Sequence, residues 1–435
     1  MIGRIPIRDI ALVAAFLTVF PLRAALTPEE RQLNIQSFEY VWNAIHEKHW
    51  QLKPGGVDWQ AIHEEFRPKI EAPDSMEAAR AVLNQMLARL HQTHFGIVPS
   101  DLYSNVDAAR GGETTTGMDV RVIGAQVLVT SVEPGSSASS QGVRPGWQIL
   151  SIAGADLAPI VTKLNQTYAG STLRDLMLRR AILARLEGDN ASRAELIEFL
   201  DGDSKQVSKT LAEERPKGDR VQFGYLNPMQ VWFKSSRVGD GNIGYTAFNA
   251  FLDAQRLMPS FGDAVQACEK CEGFVIDLRG NPGGIGIMAM GMAGWFIAQS
   301  DQKLGTLYMR DTTLKFVVNP RLTTYVGPLA ILVDGTSAST SEIMAEGLKD
   351  LGRARIFGTH TAAAALPSVF EKLPNGDGFQ YAIANYISEG GKPLEGLGVS
   401  PDVEAPITRN ALLAGKDPAL DAAVAWIEKN RQSTK

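Results

Sequence analysis

Two segments of the chain each combine an apolar strand, a turn of small residues and a helix, and this pattern constrains the fold most. The first is GFVIDLRGNPGGIG, starting at Gly273, and the second is LAILVDGTSASTSEIMAEG, starting at Leu329. Two further apolar stretches, NIGYTAFNAF and ARIFG, lie on either side of them and have the length of strands. Strands that alternate with helices in this way predict an α/β core, which we place at residues 214–410.

The remaining segments follow different periodicities. Residues 26–108 show helical spacing behind the capping residues Thr27 and Ser75, which predicts a small helical bundle. A linker rich in glycine and threonine follows at 109–117. The period then changes to two, and we predict a β-rich domain over residues 113–213. The tail PALDAAVAWIEKN predicts one amphipathic helix within residues 411–435.

The first 25 residues have the features of a signal peptide. Arg4 and Arg8 precede an apolar run from Ile10 to Leu22, and small residues follow at Ala24 and Ala25. An uncleaved membrane anchor is the alternative, because Asp9 and Arg23 depart from the usual pattern. We therefore expect an exported protein, periplasmic or extracellular, that meets a membrane only if this segment is retained.

Composition excludes several classes of protein. The chain has 435 residues, 44% hydrophobic and 21% charged, with a formal net charge of -5, which is typical of a multidomain globular protein. No basic patch stands out, so nucleic acid is not expected as a partner. The two cysteines, Cys268 and Cys271, are interpreted as residues near a helix end; a disulfide in an oxidising compartment and a redox C-x-x-C motif are the alternatives, although nothing around them indicates a thioredoxin unit.

The two turns carry the candidate chemistry. Gly283 and Gly284 leave backbone N–H groups open at the start of a helix, where anions bind. A dinucleotide fingerprint, GIGIMA, overlaps this turn but lacks the rest of its pattern. Ser339 and Glu342 form an S-x-x-E capping box, so Ser339 is interpreted either as a helix cap or as a nucleophile. In the second case the amide of Thr340 would help to stabilise an oxyanion.

Several motifs resemble known families. The spacing V-x-P-G-S, G-V-x-P-G and I-L-S-I-x-G after residue 117 resembles a PDZ domain of bacterial proteases. This resemblance implies that a peptide's terminal carboxylate binds at the segment GMDV, whose residues are Gly117, Met118, Asp119 and Val120. Together with DLRGNPGG, DGTSASTSEI, FGTHT and GLGVSPDV, in that order, the pattern resembles the tail-specific (C-terminal processing) serine peptidases. That family implies a crotonase-like (ClpP/crotonase) β/α spiral, with Ser339 as nucleophile.

The chain departs from the usual family pattern at the general base. Many members carry a lysine in a G-x-x-T-x-G-K-G stretch, but here the stretch is GTHTAAAA and the lysine position is Ala364. Lys372 and Lys392 are displaced from that position. A lysine-free branch, similar to the tricorn protease core, instead uses a histidine ahead of the PDZ region and a glutamate before G-V-x-P-D. His94, preceded by Thr93, and Glu395 occupy those positions.

Other interpretations of these residues remain open. The pairs His91/His94 and His46/His49 have H-x-x-H spacing, but neither has a third ligand in the sequence, and we expect no metal or other cofactor. His360 is an alternative base. The function predicted is that of a serine endopeptidase acting on exported or unfolded protein substrates; the oligomeric state is not indicated. The alternatives are an inactive PDZ-containing peptide-binding protein and an apolar-ligand carrier on the same scaffold.

Overall fold

A computed structural model gives the fold of residues 25–100, 114–186, 194–226 and 228–430. Residues 1–24 of the predicted signal peptide and residues 109–113 of the predicted linker lie outside these described ranges. Within the described ranges, none of the helices combines the length and the apolar character that a membrane span requires.

Helices and strands alternate along most of the chain. The helices are α1 Pro28–Lys48, α2 Trp59–Glu71, α3 Met76–Ala88, α4 Ser137–Ser140, α5 Leu157–Thr167, α6 Arg174–Leu186, α7 Ala254–Gln266, α8 Gly286–Ala293, α9 Thr340–Asp350, α10 Arg409–Leu413 and α11 Pro418–Asn430. The strands are β1 Gly96–Val98, β2 Met118–Ile123, β3 Gln126–Val132, β4 Gln148–Ile152, β5 Ala155–Asp156, β6 Ala194–Leu200, β7 Gln206–Ala212, β8 Asp219–Val221, β9 Met229–Val231, β10 Phe233–Val238, β11 Ile243–Phe248, β12 Gly273–Asp277, β13 Lys303–Tyr308, β14 Thr313–Val317, β15 Leu329–Val333, β16 Arg355–Gly358, β17 Ser368–Lys372, β18 Gly378–Ala382, β19 Asn385–Ser388 and β20 Val403–Glu404.

The α/β core is built on a six-stranded sheet in the order β10-β11-β12-β15-β16-β20. All neighbours are parallel except β10 and β11. Every residue of β12 and β15 is buried, as expected for parallel strands covered on both faces. Side chains of α7, α8 and α9 cover one face, and those of α11 cover the other. The predicted strands and helices of this core are confirmed.

Neighbouring parallel strands end at the same edge of a sheet, and this places the two predicted turns side by side. The turn after β12 leads into α8, and the turn after β15 leads into α9. The carbonyl of Asn281, in the first turn, accepts hydrogen bonds from Ala338 N at 3.1 Å and Ser341 Oγ at 2.9 Å in the second. The edge of the sheet is thus the place where the candidate site forms.

A second module is built on a five-stranded path, β2-β3-β4-β6-β7, with β5 paired to β4. Side chains of α5 and α6 complete its core. The predicted closing strands of this region are confirmed as β6 and β7. Strand β2 lies at the edge of its sheet, and its Arg121 contacts Asp334 in the core at 3.0 Å.

The N-terminal module contains the predicted helices and a sheet that the prediction missed. Thr27 and Ser75 cap α1 and α3 as expected, and α2 lies between them. Strand β1 pairs with β18, which pairs with β17, although we had assigned both later strands to the peptidase core. Local periodicity cannot reveal partners that are separated by most of the chain. The pairing brings the connection between α3 and β1, which carries Thr93 and His94, against the core.

The C-terminal tail adds one helix to the core sheet, as predicted for PALDAAVAWIEKN. Asp417, just before α11, binds the guanidinium of Arg279 through both carboxylate oxygens at 2.7 Å. The same guanidinium contacts Asp277 at the end of β12. The tail therefore fixes the start of the glycine-rich turn.

Candidate active site

Ser339 lies in the turn between β15 and α9 with an unusual backbone conformation. Its φ is 55° and its ψ is -118°, a combination that non-glycine residues rarely adopt. Two acceptors hold its amide: Ala364 O at 2.8 Å and Glu342 Oε2 at 3.0 Å. A strained backbone that the surroundings enforce is common at functional sites. The geometry therefore favours more than a simple cap for Ser339.

The glycine-rich turn approaches Ser339 so closely that a side chain is excluded. A Cβ atom placed on Gly283 would lie 2.6 Å from Ser339 Cβ and 2.8 Å from Thr340 N. The φ of Gly283 is 97°, which also favours glycine. Glycine at this position is required by the contact itself.

The three predicted oxyanion donors differ in their present partners. The amide of Gly283 donates to Asn281 Oδ1 at 2.9 Å and is therefore already committed. Among the hydrogen bonds of the described residues, none uses the amide of Gly284 or of Thr340. Thr340 Oγ1 donates to Gly284 O at 2.8 Å, which joins these two residues.

Glu342 is a functional candidate that the sequence analysis treated only as part of a cap. Its side chain is fully buried and accepts hydrogen bonds from Thr361 Oγ1 and Ala363 N through one oxygen. The other oxygen accepts from Ser339 N and Ala364 N, each at 3.0 Å. Burial raises the pKa of Glu342 to about 7, although the four donors favour its ionised form. The S-x-x-E spacing was the available signal, but it gave no indication of burial.

His94 and Glu395, predicted to act together, are joined through Thr93. The Thr93 hydroxyl lies 2.7 Å from His94 Nδ1 and donates to Glu395 Oε2 at 2.8 Å. The Thr93 amide donates to Glu395 Oε1 at 2.8 Å. Because the surrounding protein desolvates the half-buried ring, the pKa of His94 falls to about 4. The imidazole is therefore neutral near pH 7.

Glu395 connects this histidine segment to the segment that holds Ser339. Its Oε2 also accepts from Ala365 N at 3.1 Å, next to the residue whose carbonyl binds Ser339. Burial raises the pKa of Glu395, and the hydrogen bonds from Thr93 and Ala365 oppose that rise. Within the described ranges, no hydrogen bond joins His94 to Ser339 directly. The structure thus brings the residues that contact Ser339 and His94 together, without a direct contact between these two side chains.

The alternative bases have other partners. Both ring nitrogens of His360 lie 2.9 Å from backbone carbonyls, those of Thr361 and Leu397. Lys392 pairs with Glu346 at 3.3 Å, and Lys372 is exposed on β17. None of the three has a hydrogen bond to Ser339 among the described residues.

The structure also locates the remaining predicted residues. Gly117 precedes β2, and Met118, Asp119 and Val120 lie in this edge strand, where Arg121 and Arg179 bind the Asp119 carboxylate. No group of three metal-ligating side chains occurs in the part of the chain that the structure describes.

The cysteine pair forms a bond that the sequence left undecided. Cys268 and Cys271 form a disulfide, close to the end of α7.

Family models match two parts of the chain. Residues 242–405, which contain both turns, match the model of peptidase family S41. Residues 31–88, in the N-terminal module, match the tricorn protease C1 domain. The second match ends just before Thr93.

Relatives match nearly the whole chain. A carboxyl-terminal-processing protease of Picosynechococcus sp. is 26% identical over 415 residues, covering 91% of this chain and 88% of that protein. Among solved structures, the photosystem II D1 C-terminal processing protease aligns with a TM-score of 0.56 at 21% identity, covering 92% of this chain and 97% of that one. Mature CPAF aligns with a TM-score of 0.61 at 14% identity, covering 93% and 97%. The two structures support the fold. The match to the model of peptidase family S41 and the similarity to a carboxyl-terminal-processing protease show that the chain is a serine-type peptidase.

Proposed function

We propose that the chain is a processing endopeptidase in which Ser339 is the nucleophile and His94 is the general base. Thr93 and Glu395 orient the base. Gly284 and Thr340 supply the oxyanion-hole amides, and Gly283 allows the turn to approach. The observation that carries this proposal is the hydrogen-bonded series His94–Thr93–Glu395. Glu395 in turn accepts the amide of Ala365, the residue after Ala364.

This series fixes the tautomer of the histidine. A carboxylate only accepts hydrogen bonds, so the Thr93 hydroxyl donates its proton to Glu395. The Thr93 hydroxyl oxygen can then only accept a hydrogen bond from His94. His94 Nδ1 must therefore be protonated and donate to that oxygen. Nε2 consequently has a free lone pair. A neutral imidazole with this tautomer can accept the Ser339 proton.

The reaction would follow the usual course of acyl transfer. Ser339 Oγ attacks the substrate carbonyl carbon while His94 Nε2 takes its proton, and the amides of Gly284 and Thr340 face the resulting oxyanion. The intermediate then breaks the C–N bond, and His94 returns the proton to the leaving amine. Water hydrolyses the acyl-enzyme with the same base. Formation of the Ser339–His94 contact on substrate binding is consistent with catalytic hydrogen bonds that tighten only in the complex.

The same proposal includes the lysine-free branch of the family and a crotonase-like core. The position that holds a lysine in other members is Ala364, whose methyl group is buried and whose amide binds Glu342. Its backbone supports the nucleophile, whereas its side chain has no acid–base chemistry.

The second module, residues 113–213, is proposed to be a PDZ-like domain that binds the C-terminal end of a substrate. Within the described residues, β2 has β3 as its one strand partner, which leaves its other edge for the peptide strand that we propose. The segment GMDV at its start would receive the terminal carboxylate. Calorimetry with peptides that end in a carboxylate or an amide tests this; equal binding of the two would contradict it.

Export, and substrates that are exported or unfolded proteins, complete the proposal. The Cys268–Cys271 disulfide supports an oxidising compartment, because such bonds are rare in reducing ones. Intact-mass analysis of the exported protein tests the leader: removal of roughly the first 24 residues is expected.

Covalent labelling by a fluorophosphonate probe tests the catalytic assignment. Ser339→Ala is expected to abolish labelling, and His94→Ala is expected to lower peptide cleavage about 10²–10⁴-fold. His91→Ala, an exposed histidine in the same connection, is the matched control and is expected to retain activity. Full activity of His94→Ala would refute the base assignment. Wild-type protein that neither labels nor cleaves would instead favour the inactive peptide-binding alternative.

A further inference from the structure

The Cys268–Cys271 disulfide lies away from the candidate active site. Cys271 is two residues ahead of β12, at the amino ends of the parallel core strands. Ser339 follows the carboxyl end of β15, at the opposite edge of the same sheet. The proposed peptidase mechanism therefore gives the C-x-x-C segment no role.

The two cysteines differ in their access to solvent. Cys271 lines a cavity of about 720 Å³, together with Trp295, Tyr325 and Val326. That volume is within the range of small-molecule sites. Cys271 is 9% exposed, whereas Cys268 is 1% exposed and does not line the cavity. A small molecule in the cavity would therefore meet Cys271 and not Cys268.

The surroundings of Cys268 suit a sulfur that leaves rather than one that is attacked. Strand β11 passes so close that a Cβ on Gly244 would lie 2.3 Å from Cys268 Sγ. Arg237 Nη1 donates to the same Sγ at 2.8 Å, and Nη2 donates to Ala267 O at 2.6 Å, which holds the guanidinium in place. A neighbouring guanidinium stabilises a thiolate. Cleavage of the S–S bond at Cys271 would thus leave the negative charge on the sulfur that has a cationic partner.

We propose that this disulfide is an exchange site for a low-molecular-weight thiol, which attacks Cys271 from the cavity. The thiolate sulfur bonds to Cys271 Sγ, the S–S bond breaks, and its electron pair goes to Cys268 Sγ as a thiolate beside Arg237. A second thiol attacks the mixed disulfide at the sulfur of the first and releases Cys271. Two small thiols are thereby oxidised to one disulfide, and the protein disulfide is reduced to two thiols, which take up the two protons. The proposal does not depend on the role of Ser339.

The first experiment compares the two thiols in single-cysteine variants. Cys268→Ser retains the thiol of Cys271, and Cys271→Ser retains that of Cys268. The probe is dithiodipyridine, a neutral chromogenic disulfide, because charged residues of both signs also line the cavity, namely Glu269, Lys270 and Glu272. Cys268→Ser is expected to react at least about tenfold faster than Cys271→Ser, since reactivity follows access. Equal rates, or a faster reaction of Cys271→Ser, would overturn the proposal.

The second experiment keeps both cysteines and measures how fast dithiothreitol reduces the disulfide. Arg237→Gln is expected to slow reduction about 3- to 10-fold, since the leaving sulfur loses its cationic partner. Arg220→Gln, which changes an exposed arginine of β8, is the matched control and is expected to equal the wild type. If Arg237 only supported the fold, its loss would loosen this segment and speed reduction. An unchanged or faster rate in Arg237→Gln would therefore contradict the assigned role of Cys268.

The same measurement in urea separates attack on the folded protein from reduction after unfolding. At urea concentrations below the unfolding transition, the rate for the wild type is expected to stay constant, because the thiol reaches Cys271 in the folded state. A rate that rises with urea in proportion to the unfolded fraction would mean that the disulfide opens only on unfolding. That result would overturn the exchange site, whatever the two variants show.

Discussion

Two glutamates hold the two halves of the proposed active site, and they do so differently. Glu342 is fully buried and binds the segment of Ser339 from within the same helix start, with four donors on its two oxygens. Glu395 is partly exposed and binds the base segment, 302 residues away in the chain, through two donors of Thr93. One glutamate supports a local turn, and the other joins two modules.

Both glutamates bind backbone amides in the run of four alanines, residues 362–365. Glu342 accepts the amides of Ala363 and Ala364, and Glu395 accepts the amide of Ala365. These alanines therefore serve the site through their backbone, while their small side chains allow close packing. Ala364 offers no basic side chain, but the amides of this segment still position both halves of the proposed catalytic assembly.

The largest effect is expected when Glu342 is changed to glutamine. A carboxamide has one oxygen and one NH2 group, so either orientation turns two N–H donors of the carboxamide toward donors of the site. Unpaired buried donors cost about 1–3 kcal/mol in the free energy of unfolding. Displacement of Ser339 by about 1 Å would lower activity about 10²-fold. Urea unfolding and fluorophosphonate labelling measure the two effects.

The pH dependence of the stability of Glu342→Gln shows whether the Glu342 carboxyl has the raised pKa of a buried group. Between pH 4.5 and about 7 the folded protein keeps a proton on Glu342 that the unfolded chain has released. This group's contribution to the stability of the wild type therefore falls as the pH rises. The loss of unfolding free energy in Glu342→Gln, relative to the wild type, should accordingly be larger at pH 5 than at pH 8. Glu346→Gln, one turn later on α9, is the control for labelling; a loss as large as that of Glu342→Gln would contradict the prediction.

A smaller loss is expected for Glu395→Gln. The variant retains the contacts of Glu342 with the Ser339 segment, weakens the orientation of Thr93 and His94, and affects the hydrogen bond from the Ala365 amide. The expected loss of cleavage is about tenfold, equivalent to about 1.4 kcal/mol, the upper range for one neutral hydrogen bond. Thr93→Val should show a similar loss, and Thr93→Ser should restore activity. A loss for Glu395→Gln as large as that for His94→Ala would mean that the two glutamates do not differ in the proposed way.

Much of the fold around Ser339 could be predicted from the sequence, because the signals for it lie between neighbours in the chain. Strand ends, turn glycines and cap residues are encoded by neighbours in the chain, so Ser339, Gly283 and the helices after them could be predicted. The family resemblance supplied His94 and Glu395. The sequence did not reveal the pairing of β1 with β18, the burial of Glu342 or the packing of Leu173 against the buried alanines Ala338, Ala362 and Ala364. Each of these depends on packing between residues that are distant in the chain.

A moderate effect of pH on activity is expected from His94. Its pKa of about 4 contrasts with the value near 6.5 that we would assign to a histidine from sequence alone. Between pH 6 and pH 5 the labelling rate should therefore change by less than about twofold, whereas an ordinary histidine would lower it about eightfold. Glu342 is already mostly protonated in this range, so it adds little slope. Circular dichroism at each pH checks that the protein remains folded, and an eightfold fall would place the pKa of the working base near 6.5.

The smallest effect is expected when a methyl group is removed from the row of alanines, and it tests whether the backbone is what matters. Ala363 has a φ of 55°, which disfavours any residue except glycine, and its methyl group is fully buried. Ala363→Gly relieves about 1 kcal/mol of backbone strain and loses a buried methyl group worth about as much, so stability should change little. Ala365→Gly, without that strain, should lose about 1 kcal/mol or more. Both variants keep the amides that bind Glu342 and Glu395, and both should label with fluorophosphonate at close to the wild-type rate. If either variant lost most of its labelling while remaining folded, the methyl groups rather than the amides would be holding the two halves of the site together.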